Sequence, residues 1–324
     1  MAKTTSEEAK DLYIDLITGG DVLFSILKRL KEIKGLKIIT DAYQIFAVLP
    51  ANGDFPSILL TAHTDVKNPL KRLKIDDSGV ILGSGADDRA GVAAILLALN
   101  GFRDAPRGKI GVLFSNDEEK GCLGAYEFFK NNREPFDYVL SIDGNGKSGG
   151  GFYPYYKALG YEVIIPDLSA YEKIPEKNEE GIKVKKGKAV DVGKAYATSL
   201  IIRCADYRKL EEYYSEIREK AIIDLTSAEN EKVKKKKEFG FLPEERDLTI
   251  PEFVTRAYKK EGVDFHCVNS LIGGTDATVA AEYGYKALIL NSGVQDAHGE
   301  NERVDVEDIL FNARVLTNIA TFDF

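Results

Sequence analysis

The sequence is poor in cysteine and has no long apolar run. Its three cysteines, Cys122, Cys204 and Cys267, are an odd number at wide spacing, which fits neither a disulfide framework nor a zinc ribbon. No apolar run reaches the roughly 18 residues of a membrane-spanning helix. The segment Met1–Asp11 is polar and acidic, unlike a signal peptide. We therefore expect a cytoplasmic protein with reduced cysteines and no membrane partner.

The sequence also lacks an excess of positive charge, which argues against a nucleic-acid partner. The chain has 44 Lys and Arg residues against 52 Asp and Glu residues, and its formal net charge is -8. Binding to a phosphate backbone requires an excess of basic groups. The basic run Lys234–Lys237 lies between Glu231 and Glu238, so it predicts a solvated helix face. We expect no nucleic acid to bind.

Apolar strands alternate with helical segments through the first half of the chain. Buried strands are predicted at 57–62, 109–115 and 138–142, and helices at 90–99 and 124–131. This alternation predicts an α/β fold with a mostly parallel open sheet flanked by helices. Sites in such folds gather at the carboxyl ends of the strands.

The pattern changes over residues 148–235, where a glycine run is followed by short alternating segments. We interpret this stretch as a smaller inserted α+β domain, a lid or a dimerisation domain. Residues 1–147 and 236–324 then form the main domain. A chain of 324 residues is long enough for a main domain with a smaller inserted one.

Two of the three histidines and several acids follow predicted strands. His63 ends the first buried strand, and Asp65 is placed to accept the second ring proton of a zinc-bound imidazole. Asp87 and Asp88 open an alanine-rich helix between Gly85 and Gly91. Taken alone, His63 is as readily a histidine in a turn as a metal ligand. In the same way, Asp87 and Asp88 are as readily helix-capping residues as ligands.

Further acids recur in the same positions relative to strands. Glu118 and Glu119 follow the strand that ends at Ser115, Asp143 ends the next strand, and His298 follows a strand at 286–291. Consecutive acids repel one another unless cations or solvent relieve them. Four strand ends would thus deliver a histidine or a carboxylate to one rim of the sheet, which predicts a metal site.

These motifs together resemble one family, the co-catalytic di-zinc exopeptidases, in the branch of peptidase T, carboxypeptidase G and succinyl-diaminopimelate desuccinylase. The resemblance covers Ile58–Gly146 and Gly273–Val306 in the same order. It rests on His63-x-Asp65, Gly-Ala-Asp87-Asp88-Arg-Ala-Gly, Asp117-Glu118-Glu119-x-Gly, the strand ending at Asp143, Gly273-Gly-Thr275-Asp276 and His298-x-x-Asn-Glu302.

The resemblance implies a ligand set and a mechanism. One zinc would be held by His63, Asp143 and Asp87, and a second by Glu119, His298 and the same Asp87, which bridges the two ions. Glu118 would act as general base and then general acid toward a zinc-bridged water, with Asp65 orienting His63. A cis peptide would join Asp87 to Asp88. Cobalt or manganese could replace zinc, because dinuclear carboxylate sites accept all three.

The substrate contacts follow the family less closely. Members of the branch usually carry a lid histidine that stabilises the oxyanion, and residues 148–235 contain none. We name His266 and Arg203 as candidates for that contact, each with an ordinary structural or surface role as the alternative. Thr275 and Asp276 are further substrate-binding candidates. The short insert weakens the expectation of a homodimer formed through it.

The leading functional hypothesis is an aminopeptidase or small-peptide peptidase. An N-acyl amino acid deacylase or amidase would use the same site, so the sequence leaves both substrates open. A non-catalytic scaffold is a remote alternative, because a scaffold has no physical reason to aim five metal-binding groups at one point.

Overall fold

The secondary structure of the computed structural model follows the alternation seen in the sequence. The described residues are 5–41, 44–51, 53–67, 73–76, 79–83, 85–102, 106–132, 134–153, 159–165, 177–179, 182–191, 196–204, 212–217, 234–239, 250–269 and 274–321. The labelled helices are α1 (Ser6–Thr18), α2 (Val22–Leu30), α3 (Ala86–Phe102), α4 (Leu123–Asn131), α5 (Glu252–Lys260), α6 (Asp276–Glu282) and α7 (Val306–Thr321). The strands are β1 (Lys37–Thr40), β2 (Gln44–Leu49), β3 (Phe55–His63), β4 (Lys74–Ile75), β5 (Val80–Leu82), β6 (Gly108–Ser115), β7 (Tyr138–Gly144), β8 (Gly150–Tyr153), β9 (Leu159–Ile165), β10 (Lys177–Glu179), β11 (Ile182–Asp191), β12 (Tyr196–Cys204), β13 (Lys234–Phe239), β14 (His266–Asn269), β15 (Lys286–Asn291) and β16 (Arg303–Asp305).

The main sheet has a parallel centre, as the sequence predicts. Its strand order is β1-β2-β6-β3-β7-β15-β8-β14. The four central strands β6, β3, β7 and β15 pair in parallel, whereas β2 joins β6 and β8 joins β15 in antiparallel fashion. All four central strands therefore end at the same edge of the sheet.

Both faces of the central strands are buried, which explains their continuous apolar sequences. Ile58, Leu60 and Ala62 of β3 belong to the main hydrophobic core, together with residues of α1, α3, α5 and α7. The alternate residue Leu59 is also buried but lies outside that cluster. Because successive strand residues point to opposite faces, it faces the second helical layer, in which α6 packs on β15 and α4 on α6.

Gly150 and Gly151 of the glycine run at 149–151 lie in β8 of the main sheet. Gly151 pairs with Leu290 of β15, and a Cβ built on Gly151 would lie 2.4 Å from Ile289 O and 2.8 Å from a ring carbon of Phe265. Glycine is required here by the close approach of its neighbours.

The chain divides into two compact units, one of residues 1–154, 247–268 and 274–324 and the other of 155–246 and 269–273. Residues 148–154, which the sequence analysis assigns to the insert, lie in the first unit. A separate three-stranded sheet of order β16-β5-β4 belongs to the first unit as well.

The second unit contains an antiparallel sheet of order β10-β11-β12-β9-β13. The prediction of a helix face at Lys234–Lys237 is wrong, because these residues lie in β13, at the edge of this sheet, paired with β9. Lysine-rich edge strands are common because their charge discourages pairing with other chains. Within this unit, residues 212–217 are helical. Whether this unit serves as a lid or in dimerisation stays a prediction.

Among the helices of the described segments, none combines the length and the apolar character needed to cross a membrane.

Candidate metal centre

Histidines and carboxylates meet at the edge where the parallel strands end. His63 is the last residue of β3, Asp143 lies at the end of β7, and Glu118 and Glu119 follow β6. His63 Nε2 lies 3.3 Å from Asp87 Oδ1, 3.6 Å from Asp143 Oδ1 and 4.0 Å from Glu118 Oε2. The structure therefore brings these predicted residues into one cluster.

His63 is buried and held in one orientation. Its Nδ1 lies 3.0 Å from the Asp65 carbonyl oxygen and 3.4 Å from Asp65 Oδ1. Burial would lower the pKa of His63, but the Asp143 charge and contacts with neighbouring carboxylates raise it. With a proton on Nδ1 facing Asp65, a neutral ring presents its Nε2 lone pair to the cluster.

Asp87 projects from a tight turn at the start of α3. Gly85 in this turn has φ +99°, a conformation that favours glycine. The peptide between Asp87 and Asp88 is cis, which confirms the linkage that the resemblance implies. Asp87 then faces both candidate ligand histidines, because its Oδ1 lies 3.3 Å from His63 Nε2 and its Oδ2 lies 3.0 Å from His298 Nε2.

Asp88 points the other way and fixes the backbone around the site. Its carboxylate accepts the backbone N–H groups of His63 at 3.3 Å and Gly91 at 3.1 Å. A Cβ on Gly91 would lie 2.2 Å from Ile142 O, so only glycine allows α3 this close to β7. Since the oxygens of Asp88 are engaged with amides, Asp87 is the better candidate for a bridging ligand.

The Glu118–Glu119 loop is anchored by Asp65. The Asp65 carboxylate accepts Glu118 N–H at 3.0 Å and Glu119 N–H at 3.2 Å. Its contacts thus extend beyond His63 to the loop that carries Glu119, a candidate ligand. The side chain of Glu119 bonds Lys67 Nζ at 2.8 Å, and Cys122 Sγ lies 3.5 Å from Glu118 Oε1.

His298 reaches the cluster from the turn after β15. Its φ of 65° lies in the left-handed region, which is uncommon for a residue other than glycine. Its backbone N–H donates to Glu302 Oε2 at 2.9 Å. Contacts with Asp87 and Glu119, opposed by partial burial, raise the pKa of His298 to about 10.

Burial and mutual repulsion separate the acids into two groups. Burial raises the pKa of Asp143 to about 7, against the opposing charge of His63. Burial and then the Asp143 charge raise the pKa of Glu118. Burial would also raise the pKa of Asp87, but contacts with His298 and His63 hold it below its usual range. Asp87 is therefore ionised, whereas Glu118 is disposed to hold a proton.

The donor set fits a divalent cation. Imidazole nitrogens and carboxylate oxygens suit zinc, cobalt and manganese. His63 with Asp87 and Glu119, and His63 with Asp88 and Asp143, form groups whose ligand atoms all lie within 4.8 Å of one another. Among the described residues, Glu119 Oε1 is buried without a well-aligned hydrogen bond, although His298 Nε2 lies 2.5 Å away. A shared cation would satisfy both atoms.

The four candidate substrate contacts lie in different structural settings. Asp276 is buried at the start of α6 and accepts a hydrogen bond from Ser115 Oγ at 2.5 Å, and burial raises its pKa to about 6. Thr275 is the N-cap of the same helix. His266 is exposed on the edge strand β14, and Arg203 lies on β12 of the second unit. All four roles stay predictions.

Two residues that organise the site, Asp88 and Glu302, have no role predicted from the sequence. In the sequence motifs, Asp88 is only the neighbour of Asp87, and Glu302 only ends the motif that begins at His298. Glu302 is buried. Its carboxylate accepts backbone N–H groups from residues 85–87, called the Asp87 turn, and from His298 in the turn after β15, called the His298 turn. The contacts of Glu302 with residues 85–87 span more than 200 positions, so no local pattern reveals them.

Comparison with solved structures finds the same fold. The structure of aminopeptidase PepT from Bacillus cereus matches with a TM-score of 0.72 and 20% identity, covering 99% of each chain. A dinuclear metal-binding peptidase of the M20 family from Bacillus subtilis matches with a TM-score of 0.71 and 16% identity, covering 98% of this chain and 97% of that one. At these identities the likeness establishes the fold.

Sequence comparison supplies the family. A probable carboxypeptidase from Emericella nidulans is 27% identical over 186 residues, which are 46% of this chain and 43% of that protein. The match thus spans less than half the length of this relative. Residues 59–321 match the peptidase family M20/M25/M40, and this span contains every histidine and carboxylate of the cluster. With the fold, the cluster and this match in agreement, the chain belongs to peptidase family M20/M25/M40.

Proposed function

We propose that this peptidase is a metal-dependent aminopeptidase or small-peptide peptidase that acts at the cluster around Asp87. The observation that carries the proposal is the convergence of two histidines on the two oxygens of one buried carboxylate. Asp87 Oδ1 lies 3.3 Å from His63 Nε2, and Asp87 Oδ2 lies 3.0 Å from His298 Nε2. A carboxylate in this position is suited to bridge two cations.

Two groups of side chains would hold the metals. His63 and Asp143 lie on one side of Asp87, and Glu119 and His298 lie on the other. Zinc is the proposed ion, with cobalt and manganese as substitutes that the same donors accept. When bound, such ions polarise the scissile carbonyl and lower the pKa of water at the site.

Glu118 would carry the proton in the reaction. Its Oε2 is within 4.0 Å of His63 Nε2 and so borders the cluster. The raised pKa of its carboxyl group suits a residue that takes a proton from water and returns it to the leaving nitrogen. Asp65 fixes Glu118 through the backbone, while Cys122 Sγ contacts its Oε1. No covalent enzyme intermediate is required.

The likeness to aminopeptidase PepT over almost the whole of both chains supports a peptidase that needs a free α-amine. The deacylase alternative uses the same side chains, so substrate profiling must separate the two. A homodimer through the second unit remains an additional prediction.

The test is hydrolysis of matched substrates by protein reconstituted with zinc. One tripeptide is supplied in three forms: with both ends free, with an acetylated amine and with an amidated carboxyl end. N-acetyl amino acids complete the panel. An aminopeptidase cleaves the free and the amidated forms and leaves the acetylated form intact.

Each other pattern contradicts the proposal in a distinct way. Release of the amino acid from N-acetyl amino acids alone indicates a deacylase. Cleavage of the free and acetylated forms, with the amidated form left intact, indicates a carboxypeptidase. Two bound zinc ions without turnover on any substrate would support the scaffold alternative.

A further inference from the structure

Two of the metal-binding side chains stand on turns that are far apart in the sequence and meet at one carboxylate. Glu302 Oε1 accepts the backbone N–H groups of Gly85 at 2.6 Å, Ala86 at 2.7 Å and Asp87 at 3.3 Å. Glu302 Oε2 accepts the N–H group of His298 at 2.9 Å. Glu302 is only 3% exposed, so its charge is stabilised mainly by these four amides.

The amides of the Asp87 turn precede the regular part of α3, because Asp87 (φ -87°, ψ 106°) and Asp88 (φ -117°, ψ 37°) have non-helical backbone angles. Buried N–H groups in such a turn need an acceptor from elsewhere in the chain. Glu302 supplies that acceptor from a distant part of the sequence. Without it, the segment that aims Asp87 would leave buried amides unsatisfied, at a substantial cost in free energy.

The His298 turn depends on the same carboxylate for another reason. A histidine with φ of 65° occupies a region that side chains other than glycine rarely adopt. Residues hold such conformations when surrounding contacts over-determine them. The bond from His298 N–H to Glu302 is one such contact. A single substitution at position 302 would remove it.

We propose that Glu302 is a positioning residue that joins the Asp87 turn to the His298 turn and thereby sets the spacing of the metal ligands. This inference rests on the proposed metal-dependent function and deepens it. Glu302 touches neither substrate nor metal in this role. It acts through the backbone of two residues whose side chains lie 3.0 Å apart.

Glu302→Gln separates the two halves of the contact. Three N–H donors of the Asp87 turn select the amide oxygen of glutamine, so the –NH2 group faces His298 N–H, and two donors then oppose each other. We expect the His298 turn to loosen while the Asp87 turn is retained. The metal held by His298 and Glu119 should bind about 10–100-fold more weakly, as is typical when a contact that supports a ligand is lost, and the other metal should be affected less.

The readout is zinc binding measured by competition with a chromophoric chelator, together with the rise in Tm on adding zinc. Asp137→Asn is the matched control, because Asp137 also joins two distant segments by accepting Ser57 N–H at 2.7 Å, but at the start of β7. The control should bind zinc as the wild type does. Equal zinc affinity and stoichiometry in Glu302→Gln and the wild type would overturn the proposal.

A second measurement covers the case in which Glu302→Gln does not fold. In the wild type, hydrogen exchange is followed for peptides that contain residues 85–87 and residue 298, with and without zinc. We expect zinc to slow exchange in both segments over the same concentration range. Protection of one segment without the other contradicts the proposal.

These outcomes are distinct from those for the proposed function. A wild type that binds two zinc ions and cleaves no peptide contradicts the function alone. A Glu302→Gln variant with wild-type zinc binding contradicts the positioning role alone, and a wild type that binds no divalent cation contradicts both.

Discussion

The two edges of the parallel strands carry the same kinds of residue in different electrostatic settings. At the amino edge, Asp137 is exposed and accepts both the N–H and the hydroxyl of Ser57 at 2.7 Å. These bonds and the charges of Lys109 and Lys286 lower its pKa, against slight burial. At the carboxyl edge, burial raises the pKa of Asp143 to about 7.

The difference separates acids that stabilise the fold from acids that are placed for chemistry. Asp137 has lysines nearby and remains ionised in water. It therefore joins Ser57 to the start of β7 at little cost in free energy. The carboxyl edge places Glu118 and Asp143 together in a buried position, where burial raises the pKa of both and the charge of Asp143 raises the pKa of Glu118 further. A fold does not need this repulsion, and clusters of perturbed acids mark functional sites.

The largest effect that should distinguish the edges is on turnover. Glu118→Gln removes the proposed proton carrier while preserving the size of the side chain, so kcat should fall by about 10²–10⁴-fold on any substrate that the wild type cleaves. Zinc content, measured by atomic absorption, should stay at the wild-type level. The matched change at the other edge, Asp137→Asn, should leave kcat within about twofold. Equal losses in the two variants would show that the edges do not differ in function.

The second effect is the pH dependence of metal binding. Asp143 holds a proton up to about pH 7 in the metal-free protein, and a metal must displace it. The apparent zinc affinity should therefore rise by about tenfold per pH unit below pH 7 for each displaced proton. Calorimetric titration in buffers of different ionisation enthalpy measures the protons released. An affinity that is flat from about pH 5 to pH 7 contradicts this assignment.

The same proton has the opposite effect on the metal-free fold. A carboxyl group with a raised pKa favours the folded state below its unfolded pKa, and this contribution is lost as the pH rises through about 7. The Tm of the metal-free protein should thus decline toward pH 7, while the rise in Tm on adding zinc grows. Thermal scans with and without a chelator measure the Tm of the metal-free protein and the rise in Tm with zinc at each pH.

The smallest effect concerns Asp137. Its lowered pKa stabilises the fold above the unfolded pKa, and this contribution is lost as the pH falls through the folded value. Because the carboxylate is exposed, Asp137→Asn should reduce the free energy of unfolding by only about 1 kcal/mol at neutral pH. Denaturant titrations at neutral and acidic pH should show this difference narrowing in acid. A difference that is constant with pH would mean that the charge contributes nothing.

Much of the site could be predicted because its residues come directly after apolar strands. A buried parallel strand is recognisable from its apolar sequence, and parallel strands share a carboxyl edge. That reasoning places His63, Glu119 and Asp143 at one rim, where the structure has them. Whether they bind zinc as assigned stays a prediction, as do the roles of Thr275 and His266.

Other features could not be predicted because long-range packing decides them. The glycine run at 149–151 marks the start of the predicted insert, but Gly151 lies in β8 of the main sheet, where β15 and Phe265 leave no space for a side chain. The Lys234–Lys237 run looks like a helix face, but it takes the edge position beside β9. The role of Glu302 depends on a contact with Gly85 across 217 positions.

The order of the site residues along the chain also determines when the site can form during synthesis. His63, Asp87, Glu119 and Asp143 all precede the second unit in the chain, whereas β15, His298 and Glu302 follow it. Since domains fold as the chain emerges from the ribosome, a nascent chain at that stage has the candidate ligands His63, Asp87 and Asp143 but lacks His298. The candidate site can therefore be completed only after β15 and the turn that carries His298 have been made.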